Sequence, residues 1–132
     1  MRTIYTENAP EPTGHRSQAL AHNDLVFVSG QVPINPETGE KVTESIEKQT
    51  ETALRNVEEI LKASGCTLKN VLKTTLYITD MSSWSAIDSV YAEIFGEHKP
   101  ARSVIRVPEL HHGVQIQIEA IAYIEEKRPF WH

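Results

Sequence analysis

An arginine and a glutamate stand out late in the chain because each interrupts a strand-like apolar pattern. Arg102 opens the run Arg-Ser-Val-Ile-Arg-Val, and Glu119 lies within Ile-Gln-Ile-Glu-Ala-Ile-Ala. A guanidinium presents a planar fork of N–H donors suited to bidentate pairing with a carboxylate. A glutamate can orient or deprotonate water, or help protonate a departing amine. Each residue also has a plainer reading: Arg102 as one half of a weak surface ion pair, Glu119 as the partner of Arg106 or Lys127 on a sheet face. The remaining chemistry-bearing groups carry less. His111 and His112 are adjacent, and neighbours on an extended chain point apart, so a shared metal is not expected. His15, His22, His98 and His132 show no ligand spacing. Cys66, the single cysteine, follows a helix-capping glycine and reads as structural rather than catalytic.

The elements that must position these groups follow from periodicity. Residues 2–6 read as a short edge strand. Residues 16–22 and 24–31 read as a hairpin about the turn signal Asn23-Asp24. Residues 45–63 read as a helix whose stripe is Ile46, Ala53, Leu54, Val57, Ile60 and Leu61, ended by Gly65. A strand is expected over 71–79, then a helix over 83–96 with Trp84, Ile87, Tyr91, Ile94 and Phe95 inward and Ser82 or Ser83 as its cap. Two strands follow, 102–107 and 114–124. The order β-β-β-α-β-α-β-β predicts a two-layer α+β domain, with two helices on one face of a mixed six-stranded sheet. Alternation along the last two strands predicts that Ser103, Ile105 and Val107 meet the helices, together with the apolar set from Val114 to Ala122. Arg102, Val104, Arg106, Gln115, Gln117 and Glu119 then fall on the uncovered face. That face is either solvated or set against another subunit.

Composition bounds the rest. The chain has 132 residues, 39% hydrophobic and 23% charged, which suits a single globular domain over residues 1–132. Eighteen acidic against thirteen basic residues give a net charge of -5, a poor match to phosphate backbones, so no nucleic-acid partner is expected. A lone thiol fits a reducing compartment, and neither a secretory h-region nor a membrane-length apolar run is visible; the expected address is cytoplasmic, with no membrane partner.

The segment HKPARSVIRVPELHHGVQIQIEAIA, residues 98–122, resembles the signature of the RidA/YjgF family of enamine/imine deaminases. Three further stretches are similar to that family: FVSGQVPINPETGE at 27–40, QTETALRNVEEILKASG at 49–65 and VLKTTLYITDMSSWSAIDSVYAEIF at 71–95. The resemblance covers nearly the whole chain and implies a chorismate-mutase-like fold. It implies a homotrimer whose sheets form a central β-barrel, with three clefts between subunits. It implies hydrolysis of 2-aminoacrylate-type enamines, or their 2-imino acid tautomers, to 2-keto acids and ammonia, with no metal or organic cofactor. By the same resemblance, Arg102 is the carboxylate clamp and Glu119 the acid/base group. Ser29 and Gly30 line the cleft, and Ser103 and Val104 follow the arginine, with the Val104 amide available to the substrate. Val104 stands where the family often carries cysteine, which excludes thiol chemistry there.

The chain departs from the family pattern at two positions. It reads GHRSQ, with Arg16, where the family usually reads G-P-Y-S-Q, and Asp88 where many members carry asparagine. Arg16 adds a cation if it enters the cleft, and Asp88 is placed to pair with it across the interface. These departures support a second hypothesis, a non-catalytic keto-acid-binding or regulatory trimer using the same cleft. A third, ribonuclease or translation inhibition, is disfavoured by the acidic balance and the lack of a basic-aromatic patch. The C-terminal stretch EEKRPFWH offers Phe130 and Trp131 for docking on a neighbouring subunit.

Overall fold

The computed structural model describes residues 1–125; Lys127 and the Phe130-Trp131 pair lie outside the described residues. Six strands and two α-helices appear in the expected order: β1 (Arg2–Ile4), β2 (Ala19–His22), β3 (Leu25–Gln31), α1 (Ile46–Ala63), β4 (Val71–Ile78), α2 (Trp84–Phe95), β5 (Ala101–Arg106) and β6 (Ile116–Tyr123). The strands form one sheet in the order β1-β2-β3-β6-β4-β5. Among the described strands only β4 and β5 pair in parallel, joined through α2. The sheet is therefore mixed, as expected.

Local chemistry sets the helix ends. Ser45 accepts a hydrogen bond from the Lys48 amide at the start of α1. At its end Gly65 takes φ +86°, a left-handed conformation that suits glycine, and the Cys66 amide reaches back to the Leu61 carbonyl at 2.8 Å. The cap expected from Ser82 or Ser83 is absent: Ser83 makes no side-chain cap, and Asp80 instead accepts from Ser82 in the turn before α2.

Both helices cover the same sheet face. Ala53, Leu54, Val57, Ile60 and Leu61 of α1 and Ile87, Tyr91 and Phe95 of α2 pack on Val26, Val28, Leu76, Ile78, Ile116 and Ile118. Each fully buried Leu or Ile contributes roughly 1.5–3 kcal/mol relative to exposure. The opposite face shows Leu25, Phe27 and Ile105 to solvent and half-buries Tyr77, Glu119, Ile121 and Tyr123.

One face assignment is corrected. In the parallel register Thr74, Leu76 and Ile78 of β4 stand beside Arg102, Val104 and Arg106 of β5. Thr74, Leu76 and Ile78 are buried under the helices, so Arg102, Val104 and Arg106 share that side. Ser103 and exposed Ile105 share the uncovered side. The reason is that β5 is an edge strand whose two alternating sets are equally mixed. Its orientation is fixed by pairing to β4, not by its own hydrophobic pattern.

Candidate functional site

Arg102 sits on β5 against three residues of α2. Its Nη1 donates to Asp88 Oδ1 at 2.7 Å. Its guanidinium carbon lies 4.7 Å from the Trp84 ring centroid and 4.8 Å from that of Tyr91. These distances are within cation–π range. Tyr91 is itself held by a 2.7 Å hydrogen bond shared with Thr74. Burial pushes the Tyr91 phenol up, while the Thr74 bond and Arg102 pull the other way. Asp88, expected to reach Arg16 across an interface, is thus engaged by Arg102 of its own chain.

Ser29 and Gly30 lie at the other end of the site, on a bulge. Val28 pairs with Ala120 and Gln31 with Ile118, so β3 carries one more residue than β6 between these pairs. The Ser29 hydroxyl donates to the Ser17 carbonyl at 2.7 Å, and the Ser29 amide to the Gln18 carbonyl at 2.9 Å. A Cβ on Gly30 would meet the Gln117 side-chain amide, which would have to shift, so the glycine gives that amide its room. The bulge lines a cavity of about 620 Å³ whose wall also includes Arg16, Gln18, His111, His112 and Gln117. Arg16 therefore does line a cavity, beside Ser29 and Gly30.

Glu119 is the β6 residue opposite the Ser29–Gly30 bulge, between the paired Ile118 and Ala120, and lies away from Arg102. It stands opposite Thr75 on the uncovered sheet face, where the Tyr77 hydroxyl donates to its Oε1 at 2.6 Å. Among the described residues Glu119 thus bonds to Tyr77 and not to Arg106; Lys127 lies outside them. The bond to Glu119 raises the Tyr77 phenol above its ordinary value, and burial adds to this. Arg102, Ser103 and Val104 on β5 are three strand spacings from the β3 bulge, about 14 Å at the usual separation. Within one chain the predicted residues thus fall in two places: Arg102 with Asp88 at the β5 edge, and Arg16, Ser29 and Gly30 at the bulge that Glu119, bonded to Tyr77, opposes. Among the described residues no cluster of three or more His, Cys, Asp or Glu could hold a metal ion, and no helix is long and apolar enough to cross a membrane.

The family model described as Endoribonuclease L-PSP matches residues 6–124. The chain belongs to this RidA/YjgF family. The RutC family protein of Pyrococcus horikoshii is 48% identical over 92% of this chain and 97% of its own length. The human 2-iminobutanoate/2-iminopropanoate deaminase is 36% identical over 92% of this chain and 88% of its own. The crystal structure of E. coli TdcF with bound serine superposes with a TM-score of 0.91 at 35% identity, covering 95% of this chain and 100% of that one.

For a RidA/YjgF chain, several supporting residues were hidden from sequence reasoning. The helical stripe marks Trp84 and Tyr91 only as inward-facing, yet both brace Arg102. Tyr77 was read only as part of a strand. Gln18 is buried and accepts from the Thr6 amide at 2.8 Å while donating to the carbonyls of Thr6 and Pro10 at 3.0 Å. It pins the segment that walls the cavity. A buried glutamine looks polar in sequence, and no spacing signals its burial.

Proposed function

We propose that this chain hydrolyses 2-aminoacrylate-type enamines, through their 2-imino acid tautomers, to 2-keto acids and ammonia. The observation that carries the reading is Arg102: an edge-strand guanidinium fixed by one face of α2, in a chain of the RidA/YjgF family with deaminase-named relatives. Arg102 pairs with the substrate carboxylate, and the Val104 amide adds a donor. Water adds to the carbon of the protonated imine as Glu119 of a neighbouring copy takes one of its protons; Glu119 returns that proton to the carbinolamine nitrogen, and the C–N bond breaks as the hydroxyl loses its proton and becomes C=O, releasing ammonia. An imine is already electrophilic, so positioning and charge suffice without a covalent nucleophile. Donation from the Tyr77 hydroxyl holds Glu119 in one rotamer.

The working assembly in this proposal is a homotrimer around a central barrel, built by the uncovered sheet faces. The 14 Å span between β5 and the β3 bulge supports it: one chain keeps Arg102 apart from its own Ser29–Gly30 bulge, and in this proposal a neighbouring copy supplies the bulge. The buried, free Cys66 fits work in a reducing cytosol.

The test couples the purified protein to a serine or threonine dehydratase and follows keto-acid release against uncatalysed hydrolysis. Acceleration is expected, with Arg102→Ala losing about 10- to 100-fold in kcat/KM as the charged hydrogen bonds disappear. No acceleration with several imino acids would overturn the proposal. A second reading, a trimer that binds keto or amino acids without turnover, is favoured by the serine in the TdcF structure and by the prior claim of Asp88 on Arg102. Affinity without acceleration would establish it.

A further inference from the structure

Trp84, Asp88 and Tyr91 are spaced by four and then three residues, one stripe of α2. All three meet the same guanidinium, two with ring faces and one with a carboxylate. Asp88 takes only Nη1. Among the described residues Arg102 has no other hydrogen-bond acceptor, so its Nε–Nη2 edge remains for a bidentate ligand. The arginine side chain is 28% exposed and that of Asp88 46%, so the pair is only partly screened. The Arg102–Asp88 pair thus has nearly zero net charge, not a full positive one. A ligand carboxylate seated there gains the arginine and feels the Asp88 charge across the width of one guanidinium.

That balance distinguishes two compounds of the same skeleton. A 2-keto acid is a monoanion, and the Asp88 charge weakens its hold. A protonated 2-imino acid, or an amino acid, carries a cationic nitrogen beside its carboxylate and has no net charge. Its cation offsets the repulsion. We infer that Asp88 is a specificity residue of the Arg102 seat, selecting ligands with a cationic nitrogen α to the carboxylate over keto acids of the same length. The inference rests on Arg102 being the carboxylate seat proposed above. It gives the seat a preference for protonated substrate over product, and so speeds keto-acid departure.

The experiment measures the affinities of 2-ketobutyrate and L-2-aminobutyrate by calorimetric titration for the unaltered protein, Asp88→Asn and Arg102→Ala. Asparagine keeps the oxygen acceptor for Nη1 and removes only the charge. The keto acid is expected to bind Asp88→Asn about five- to tenfold more tightly, the size of a like-charge repulsion at a half-exposed site. The amino acid should change little, so the ratio of the two constants shifts by the same factor. A ratio that stays constant, whether both ligands tighten, weaken or stay the same, overturns the inference and leaves Asp88 a mere brace. Arg102→Ala is the separate control. If it abolishes binding of both ligands while the ratio is unmoved in Asp88→Asn, the seat stands and the selectivity falls. If it binds both as before, the seat itself falls and the inference with it.

Discussion

At the α2–β5 edge, side chains hold a side chain: two aromatic faces and one carboxylate fix a guanidinium. At the β3 bulge the arrangement is reversed. There a buried amide and a serine hydroxyl hold main chain, and the cavity wall is shaped by backbone. Charges differ too. Arg102 is paired, whereas among the described residues no carboxylate lies within ion-pair distance of Arg16. The lesson concerns where each region is vulnerable. The edge loses function in steps, one contact at a time, because its contacts are separate and partly exposed. The bulge depends on a few buried hydrogen bonds that have no substitute.

Gln18→Ala is expected to have the largest effect on stability. It orphans the Thr6 amide and the carbonyls of Thr6 and Pro10, at a cost of about 1–3 kcal/mol. Thermal unfolding should shift down by several degrees, and hydrogen exchange should rise across residues 6–10. Unchanged exchange there would mean that the segment does not depend on Gln18. Gly30→Ala comes next. The new methyl must displace Gln117, and crowding of this kind costs about 1–3 kcal/mol where the neighbour cannot yield. Because Gln117 is a half-buried side chain, the lower end is expected, with turnover falling more than stability. Equal turnover in the variant would remove the bulge from the site. Trp84→Leu should be mildest: loss of one stacked face costs about 0.5–1 kcal/mol and weakens 2-ketobutyrate binding by roughly threefold, with thermal stability nearly unchanged. A large loss of stability instead would show that Trp84 serves the core before it serves Arg102.

The helices were legible because burial on one stripe leaves a 3.6-residue record: Ala53, Leu54, Val57, Ile60 and Leu61 all lie in the core. The site was legible in kind and less so in arrangement. Arg102 and Glu119 were placed on one face, yet they point to opposite sides of the sheet. Alternation fails on β5 because Val104 and Ile105 are both apolar and both partly open, so neither marks the inner side. The deciding information is the pairing of Val104 with Leu76, a long-range fact absent from the local pattern. Gln18 and Gln31 were illegible for a related reason: a buried amide is written with the same letter as a solvated one, and only its partners tell them apart.

The strand order has a bearing on how the chain is made. β6 lies between β3 and β4, yet it leaves the ribosome after every other strand. Until then a nascent chain holds two incomplete pieces, β1-β2-β3 and β4 with β5, each ending in a long row of unsatisfied main-chain donors and acceptors. Such edges are templates for mispairing between neighbouring chains on one messenger. The decisive closure is a single insertion of Ile116–Tyr123, antiparallel to both flanking strands. Mispairing between chains is therefore expected mainly before Ile116–Tyr123 has emerged, and its insertion removes both open edges at once.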